Sequence, residues 1–124
     1  MSKEPNSTAV RTALWRAIHK RIDDAPYLID DEIGLKLVAP DDSWTQRPDM
    51  HPDFTRSLRA SMVARARFIE DQVIDAVDKG VTQYVLLGAG LDSFAQRHPE
   101  LKDQLQVFEI DEEMTLNWKE NKLQ

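Results

Sequence analysis

Three residues in the second half of the sequence have the types and spacing of a ligand-binding turn. Gly88 and Gly90 directly follow an apolar run. Glycines in such a place let the backbone approach a ligand and leave amide donors free. Asp111 ends a second apolar run twenty-three residues after Gly88, close to the roughly 20 at which an acidic side chain reaches the hydroxyls of a bound ribose. Together the two features favour a nucleoside-binding site.

Each of these residues also has a purely structural explanation. A tight strand-to-helix turn explains the two glycines, and the position of Asp111 also fits the N-cap of the next helix. The third glycine of the dinucleotide fingerprint G-x-G-x-x-G is replaced by Ser93. A nicotinamide-dependent oxidoreductase is therefore a weaker hypothesis, and no pair of residues for a hydride relay supports it.

Two arginines on one helical pattern differ in their surroundings. Arg67 is followed three and four residues later by Glu70 and Asp71, so we expect it on a solvated face with ion pairs. Arg65 lies between two positions of the apolar stripe and therefore borders the core. A guanidinium there suits a bidentate carboxylate, although a side chain that merely extends toward solvent is the structural alternative. Arg65 is thus a candidate binding residue.

Hydrophobic periodicity predicts the elements that position these residues. The first helix is expected to have Ser7 as its N-cap and to end before Pro26, because the residue ahead of a proline is displaced from the helical region. Glu109, a charge in an apolar strand, is expected to have a structural partner. The predicted elements are helices over 7–24, 30–38, 53–79, 92–98 and 112–124, a loop or lid over 39–52, and strands over 82–87 and 106–110.

The order of these elements predicts a βαβ unit, because a glycine-rich turn and a helix separate the two strands. Both strands are apolar on two faces, which is typical of buried parallel strands. The long helix over 53–79 is expected to bury a stripe of apolar residues, with Gly80 in the left-handed position after its end. The stripe contains Phe54, Leu58, Met62, Ala66, Ile69, Val73, Ala76 and Val77.

The composition excludes several classes of protein. The 124 residues carry a net charge of −6 with 41% hydrophobic residues, which predicts one soluble domain and argues against nucleic acid or anionic lipid as a partner. The lack of cysteine excludes disulfide scaffolds and thiolate zinc sites, and three histidines in different segments do not form a metal site. No apolar run reaches the roughly 20 residues that span a bilayer, so we predict a cytoplasmic protein.

The chain resembles the leucine carboxyl methyltransferase-like family of class I S-adenosyl-L-methionine-dependent methyltransferases, in particular its bacterial branch. The resemblance is carried by RARFIED at 65–71, YVLLGAGLDSFAQR at 84–97 and VFEID at 107–111. It implies S-adenosyl-L-methionine as the cofactor, with its methionyl carboxylate on Arg65. It also implies that Gly88 and Gly90 admit the methionyl part and that Asp111 holds the ribose. Catalysis in such an enzyme is mainly positioning, so we assign no catalytic side chain and no metal.

The resemblance also implies an organisation and a function. The fold would be a Rossmann-like α/β domain of which this chain holds the N-terminal part, with an incomplete sheet, because relatives run to roughly twice this length. In that organisation, 7–52 would be a helical cap with its loop and 53–124 the first part of the cofactor-binding domain. Residues 1–6, which are mostly polar with one proline, are expected to be a disordered tail. The implied function is methyl transfer, expected at an oxygen of a small molecule or a carboxylate.

A second hypothesis is non-enzymatic. Two strands alone leave the edges of a sheet unpaired, and an unpaired edge is a template for another chain. The chain would then be a catalytically inactive, truncated paralogue that serves as a binding or assembly module. The exposed edge also makes a homo-oligomer an expected form.

Overall fold

The computed structural model describes residues 4–124 and shows a helical N-terminal part followed by two parallel strands with a helix between them. The first three residues of the tail predicted to be disordered lie outside the described residues. The helices are α1 (Ser7–Ile22), α2 (Ile33–Val38), α3 (Pro52–Asp78), α4 (Phe94–Arg97) and α5 (Glu113–Leu123), and the strands are β1 (Gln83–Leu87) and β2 (Gln106–Ile110). Within this range no helix is long and apolar enough to cross a membrane.

Helix α1 provides the first part of the core. Its residues Leu14, Ala17 and Ile18 form one buried cluster with Trp44 and Met50. The last two residues belong to short 3₁₀ turns, Trp44–Gln46 and Pro48–Met50, in the segment predicted to be a loop. This loop is therefore ordered by the residues that it buries against α1.

The N-cap of α1 and the first residue of α2 differ from the prediction. The N-cap of α1 is Asn6, whose side-chain oxygen accepts a hydrogen bond from the amide of Thr8 at 2.8 Å, so the assignment of Ser7 is wrong. Asparagine and serine satisfy the same free amides of a first turn, and the hydrophobic period does not distinguish two adjacent candidates. Helix α2 begins at Ile33, three residues later than predicted, with Glu32 as its N-cap. Asp31 lies outside the helix and is bonded to Arg16 and Ser93.

Helix α3 carries apolar residues on an exposed face as well as in the core. The predicted stripe includes Phe54, Leu58 and Ile69, which are 64%, 44% and 38% exposed, so that part of the prediction is wrong for the described residues. The buried positions of the helix are Thr55, Arg59, Val63, Glu70 and Val77. Two charged residues thus stand where the periodic pattern predicts only apolar ones. Gly80 has a φ of +94°, in agreement with its predicted place after the helix end.

Buried ion pairs explain the polar residues in this core face. Arg59 donates from Nε and Nη2 to the two carboxylate oxygens of Asp23, each at 2.7 Å, and so clamps α3 to the end of α1. These bonds lower the pKa of Asp23 from 3.8 to about 2, although partial burial opposes the shift. Glu70 pairs with Arg97 of α4. Buried charges of this kind need partners from other elements, which a local pattern does not reveal.

The two strands pair in parallel, with Gln83 opposite Gln106 and Leu87 opposite Ile110. One face of the sheet packs on a buried cluster, which consists of Val77, Phe94 and Leu105. The other face is exposed at Val85, Leu87, Phe108 and Ile110. The prediction that both faces are buried is wrong for the described residues, because side chains alternate along a strand and no element between residues 4 and 124 covers the second face.

Candidate functional site

A cleft of about 430 Å³ opens at the carboxyl ends of the two strands. Its walls are the start of α1, the middle of α3, the turn after β1 and the residue that follows β2. The four binding residues predicted from the sequence, Arg65, Gly88, Gly90 and Asp111, all line it. Its volume lies in the range of small-molecule sites, and open α/β sheets bind ligands at the ends of their strands.

The two glycines of the turn have different surroundings. Both have left-handed backbones, with φ of +67° at Gly88 and +52° at Gly90, which favour glycine at each position. A Cβ atom at Gly88 would meet nothing within 4 Å, so the backbone there is open to a ligand. A Cβ atom at Gly90 would lie 3.3 Å from the Cβ atom of Ala9. Glycine at position 90 therefore also favours the close approach of α1 to the turn.

Asp111 uses both carboxylate oxygens on backbone amides. Oδ2 accepts from the amide of Gly90 at 2.6 Å, and Oδ1 accepts from the amide of Glu112 at 2.7 Å. The alternative role as a helix N-cap is wrong, because the N-cap of α5 is Glu112. An ionised carboxylate has about four acceptor positions, so two remain for the hydroxyl groups of a ligand.

Arg65 and Arg67 are both exposed, so the prediction that Arg65 borders the core is wrong for the described residues; Ile69, one of the two apolar positions beside it, is itself 38% exposed. Arg67 donates from Nε to Asp71 at 2.8 Å and from Nη1 to the carbonyl of Leu28 at 3.1 Å. Glu70, predicted to share this solvated face, is instead buried. Arg65 is exposed on the cleft, and within residues 4–124 its guanidinium has no hydrogen-bond or ionic partner. It is thus available to bind an anionic group.

Residues 9–124, which include the residues of this cleft from Ala9 onward, match the leucine carboxyl methyltransferase family. The chain belongs to the leucine carboxyl methyltransferase family. The resemblance predicted from the motifs is thereby confirmed. Similar proteins occur in Bacillus subtilis (YktD), in Mycobacterium sp. (strain KMS) and in Streptomyces coelicolor, and each is named a "putative S-adenosyl-L-methionine-dependent methyltransferase".

This member of the leucine carboxyl methyltransferase family matches the three relatives over only part of their length. It is 32%, 34% and 33% identical to them, in the same order, over 97%, 99% and 91% of its own residues. The matches cover 47%, 44% and 41% of the relatives. The chain therefore spans less than half the length of these proteins.

Three further residues join the walls of the cleft. The sequence did not assign them to a binding site. Arg16 of α1 donates from Nε to Asp31 at 2.7 Å and from Nη2 to the carbonyl of Leu91 at 3.0 Å. Ser93 donates from Oγ to the same oxygen of Asp31 at 2.7 Å. In the sequence, Ser93 stands out as the residue that replaces the third glycine of the dinucleotide fingerprint and as part of the motif at 84–97.

Glu109 has the structural partner that its place in an apolar strand predicts. Lys119 of α5, which is 2% exposed, donates from Nζ to Glu109 at 2.6 Å and to the carbonyl of Asp92. The charge in β2 is thus compensated by the next helix. The same lysine ties α5 to the turn that borders the cleft.

Proposed function

We propose that this chain binds S-adenosyl-L-methionine and forms the methionyl and ribose side of the cofactor site of a methyltransferase. One observation carries the proposal: an arginine without a partner among the described residues lines the same strand-end cleft as an open glycine turn and an acidic residue. Membership of the leucine carboxyl methyltransferase family supports the choice of ligand.

The chemistry of the lining residues fits this cofactor. The guanidinium of Arg65 suits a carboxylate, because its planar fork donates two parallel hydrogen bonds. The open backbone at Gly88 leaves room for a ligand next to the main chain, and Asp111 retains acceptor positions for ribose hydroxyls. The absence of a glycine at position 93 is no obstacle, because this ligand has no pyrophosphate to place on a helix terminus.

When bound, the cofactor supplies a methyl group on a sulfonium ion. The side chains of this chain would hold the methionyl and ribose parts so that an acceptor oxygen can lie in line with that methyl group. Positioning of two reactants can supply most of the needed acceleration, so no covalent enzyme intermediate is required. We infer from the name of the family that the acceptor is an oxygen, on a small molecule or a carboxylate.

The proposal includes a fold. Residues 7–52 would be a helical cap, and residues 53–124 the first part of a Rossmann-like class I methyltransferase domain. The parallel pairing of β1 and β2 around a helix supports it, as does the exposed apolar face of the sheet, which suits further covering elements.

Calorimetric titration of the folded protein with S-adenosylhomocysteine tests the function. This compound, the demethylated form of the cofactor, keeps the carboxylate, the ribose and the base, so it reports the predicted contacts without turnover. We expect saturable binding with one site per chain. A protein that shows cooperative unfolding but no binding by calorimetry and no thermal shift with the ligand would contradict the proposal.

A further inference from the structure

A chain of buried and partly buried polar side chains begins at the wall of the cleft. Its members are Arg16 of α1, Asp31 of the α1–α2 loop, Ser93 of the turn after β1, Arg97 of α4 and Glu70 of α3. We propose that Asp31 is a positioning residue of the cleft, which fixes the turn at residues 88–93 against α1 and so keeps the cleft in its binding shape. The consequence for ligand binding rests on the proposed function, because it concerns the same cleft.

Asp31 reaches the turn at two points. Its Oδ2 accepts from Arg16 and from Ser93, each at 2.7 Å, while its Oδ1 accepts from the amide of Ile33 at 3.1 Å. Arg16 in turn donates to the carbonyl of Leu91. One carboxylate therefore holds two residues of the turn, one directly and one through an arginine that itself lines the cleft.

The network continues to the helix that carries Arg65. Ser93 accepts from Arg97 Nε at 2.8 Å, and Arg97 pairs with Glu70 of α3. Glu70 lies five residues after Arg65 on the same helix. Three walls of the cleft, namely α1, the glycine turn and α3, are thus joined by one continuous set of bonds.

The burial of Asp31 shows that these bonds hold a charge in the core. The residue is 1% exposed, and burial alone would raise the pKa of its carboxyl group. The charges of Arg16 and Arg97 and the hydrogen bond from Ser93 outweigh burial, so the net effect is a lowered pKa and an ionised carboxylate at neutral pH.

Stability is a weak explanation for such a network. Apolar residues of similar volume often replace a buried ion pair without loss, because desolvation cancels much of its attraction. They do not, however, direct donors from several elements to fixed positions. Partners of this kind orient the groups of a binding site.

Asp23 provides a matched control. Like Asp31, it is paired with an arginine and joins α1 to another element, although it accepts two hydrogen bonds from that arginine where Asp31 accepts one from Arg16 and one from Ser93. It is not one of the residues that line the cleft, and its arginine, Arg59, does not contact the glycine turn. Loss of Asp23 and loss of Asp31 thus remove similar interactions at different places.

The test compares Asp31→Asn with Asp23→Asn in the full chain, at a temperature where both variants are folded. Hydrogen exchange without ligand reports the turn: we expect its amides to exchange on the order of tenfold faster in Asp31→Asn and at an unchanged rate in Asp23→Asn. Titration with S-adenosylhomocysteine measures the affinity of the cleft for this ligand. We expect the Kd to rise about tenfold in Asp31→Asn and to stay within about twofold in Asp23→Asn.

The two measurements separate this inference from the function. Unchanged exchange of the turn in Asp31→Asn, or equal acceleration in both variants, overturns the positioning role whether or not a ligand binds. Faster exchange without a change in Kd overturns its effect on the cleft. If the wild-type protein binds no S-adenosylhomocysteine, the proposed function fails, and hydrogen exchange still decides the role of Asp31.

Ser93→Ala covers the case in which Asp31→Asn does not fold. It removes the direct bond to the turn and leaves the link through Arg16 to Leu91 in place. We expect a smaller but measurable acceleration of exchange in the turn, about threefold. Exchange at the wild-type rate in this variant would count against the role of Asp31.

Discussion

Asp111 Oδ2 accepts a hydrogen bond from the amide of Gly90 at 2.6 Å, across twenty-one residues of sequence. The bond joins the end of β2 to the turn after β1, so this carboxylate shapes the glycine turn as well as lining the cleft. The turn geometry and the proposed ribose contact therefore depend on one side chain. Its loss should affect ligand binding twice, through the missing acceptor and through a looser turn.

Asp111→Ala is expected to weaken the binding of S-adenosylhomocysteine by about tenfold or more, because hydrogen bonds to a charged group contribute about 1.5–3 kcal/mol each. Asp111→Asn keeps an oxygen that can accept from Gly90, so we expect a smaller loss. Isothermal titration of both variants measures the difference. Glu112→Gln, a change at the exposed neighbouring residue, is the control, and wild-type affinity in Asp111→Ala would contradict the assignment.

Arg65→Ala is expected to raise the Kd for S-adenosylhomocysteine by about tenfold to a hundredfold, which is the range for loss of a charged bidentate contact. Arg67→Ala should leave the Kd within about twofold, because Arg67 lies on an exposed ion-pair face. Titration of the two variants under identical conditions compares two arginines of one helix. Equal losses would mean that Arg65 has no special contact with the cofactor carboxylate.

The glycine turn and the acidic residue of the cleft follow from the sequence because their determinants are local. Gly88, Gly90 and Asp111 each stand directly after a short apolar run, and parallel strands bring their carboxyl ends to one edge. The strand-end positions can be predicted without knowledge of the tertiary contacts. Arg65 lines the same cleft but is exposed, so the apolar stripe that singled it out does not explain its place.

The network behind the turn does not follow from the sequence, because its members are distant along the chain. Ser93 and Asp31 are sixty-two residues apart, and Arg16 and Leu91 are seventy-five apart. The exposed face of α3 is misassigned for a related reason. Arg59 and Glu70 enter the core only through partners from other elements, so the apolar stripe does not mark the buried side.

Alanine at the two glycine positions should have different effects. Both substitutions place a side chain in a left-handed conformation, which costs about 1–2 kcal/mol. Gly90→Ala adds a 3.3 Å contact with Ala9, so its thermal unfolding temperature should fall further than that of Gly88→Ala. Gly88→Ala puts its methyl group into open space beside the cleft and should mainly weaken the binding of S-adenosylhomocysteine.

Scanning calorimetry and titration of both glycine variants separate the two effects. Ala9→Gly in the background of Gly90→Ala removes the neighbouring methyl group and should restore part of the lost stability. A fully additive double variant, in which Ala9→Gly lowers the unfolding temperature as much as it does alone, would show that this contact is not the cause.

The contribution of Asp23 to stability should disappear in acid. Its folded pKa of about 2 lies below the unfolded value, so its stabilisation is complete above about pH 4 and declines as the pH falls toward 2. The amount is at most about 2 kcal/mol, reduced by the partial exposure of the carboxylate. Urea unfolding measures the difference in the free energy of unfolding between the wild type and Asp23→Asn. We expect this difference to be constant between about pH 6 and pH 5 and to become smaller below about pH 4. A difference in the free energy of unfolding that does not depend on pH would contradict the role of the charge.

Lys119→Met should be strongly destabilising, because it leaves Glu109 without a cation in a strand whose neighbours are apolar. Removal of one partner of a buried pair costs about 3–5 kcal/mol, and the 20% exposure of the Glu109 side chain places the expected value near the lower end. The double variant Glu109→Leu with Lys119→Met removes both charges and should recover much of this loss. Urea unfolding of the single and double variants measures the coupling. If the two losses simply add, Glu109 and Lys119 do not compensate each other, and the tie between α5 and β2 must depend on another contact.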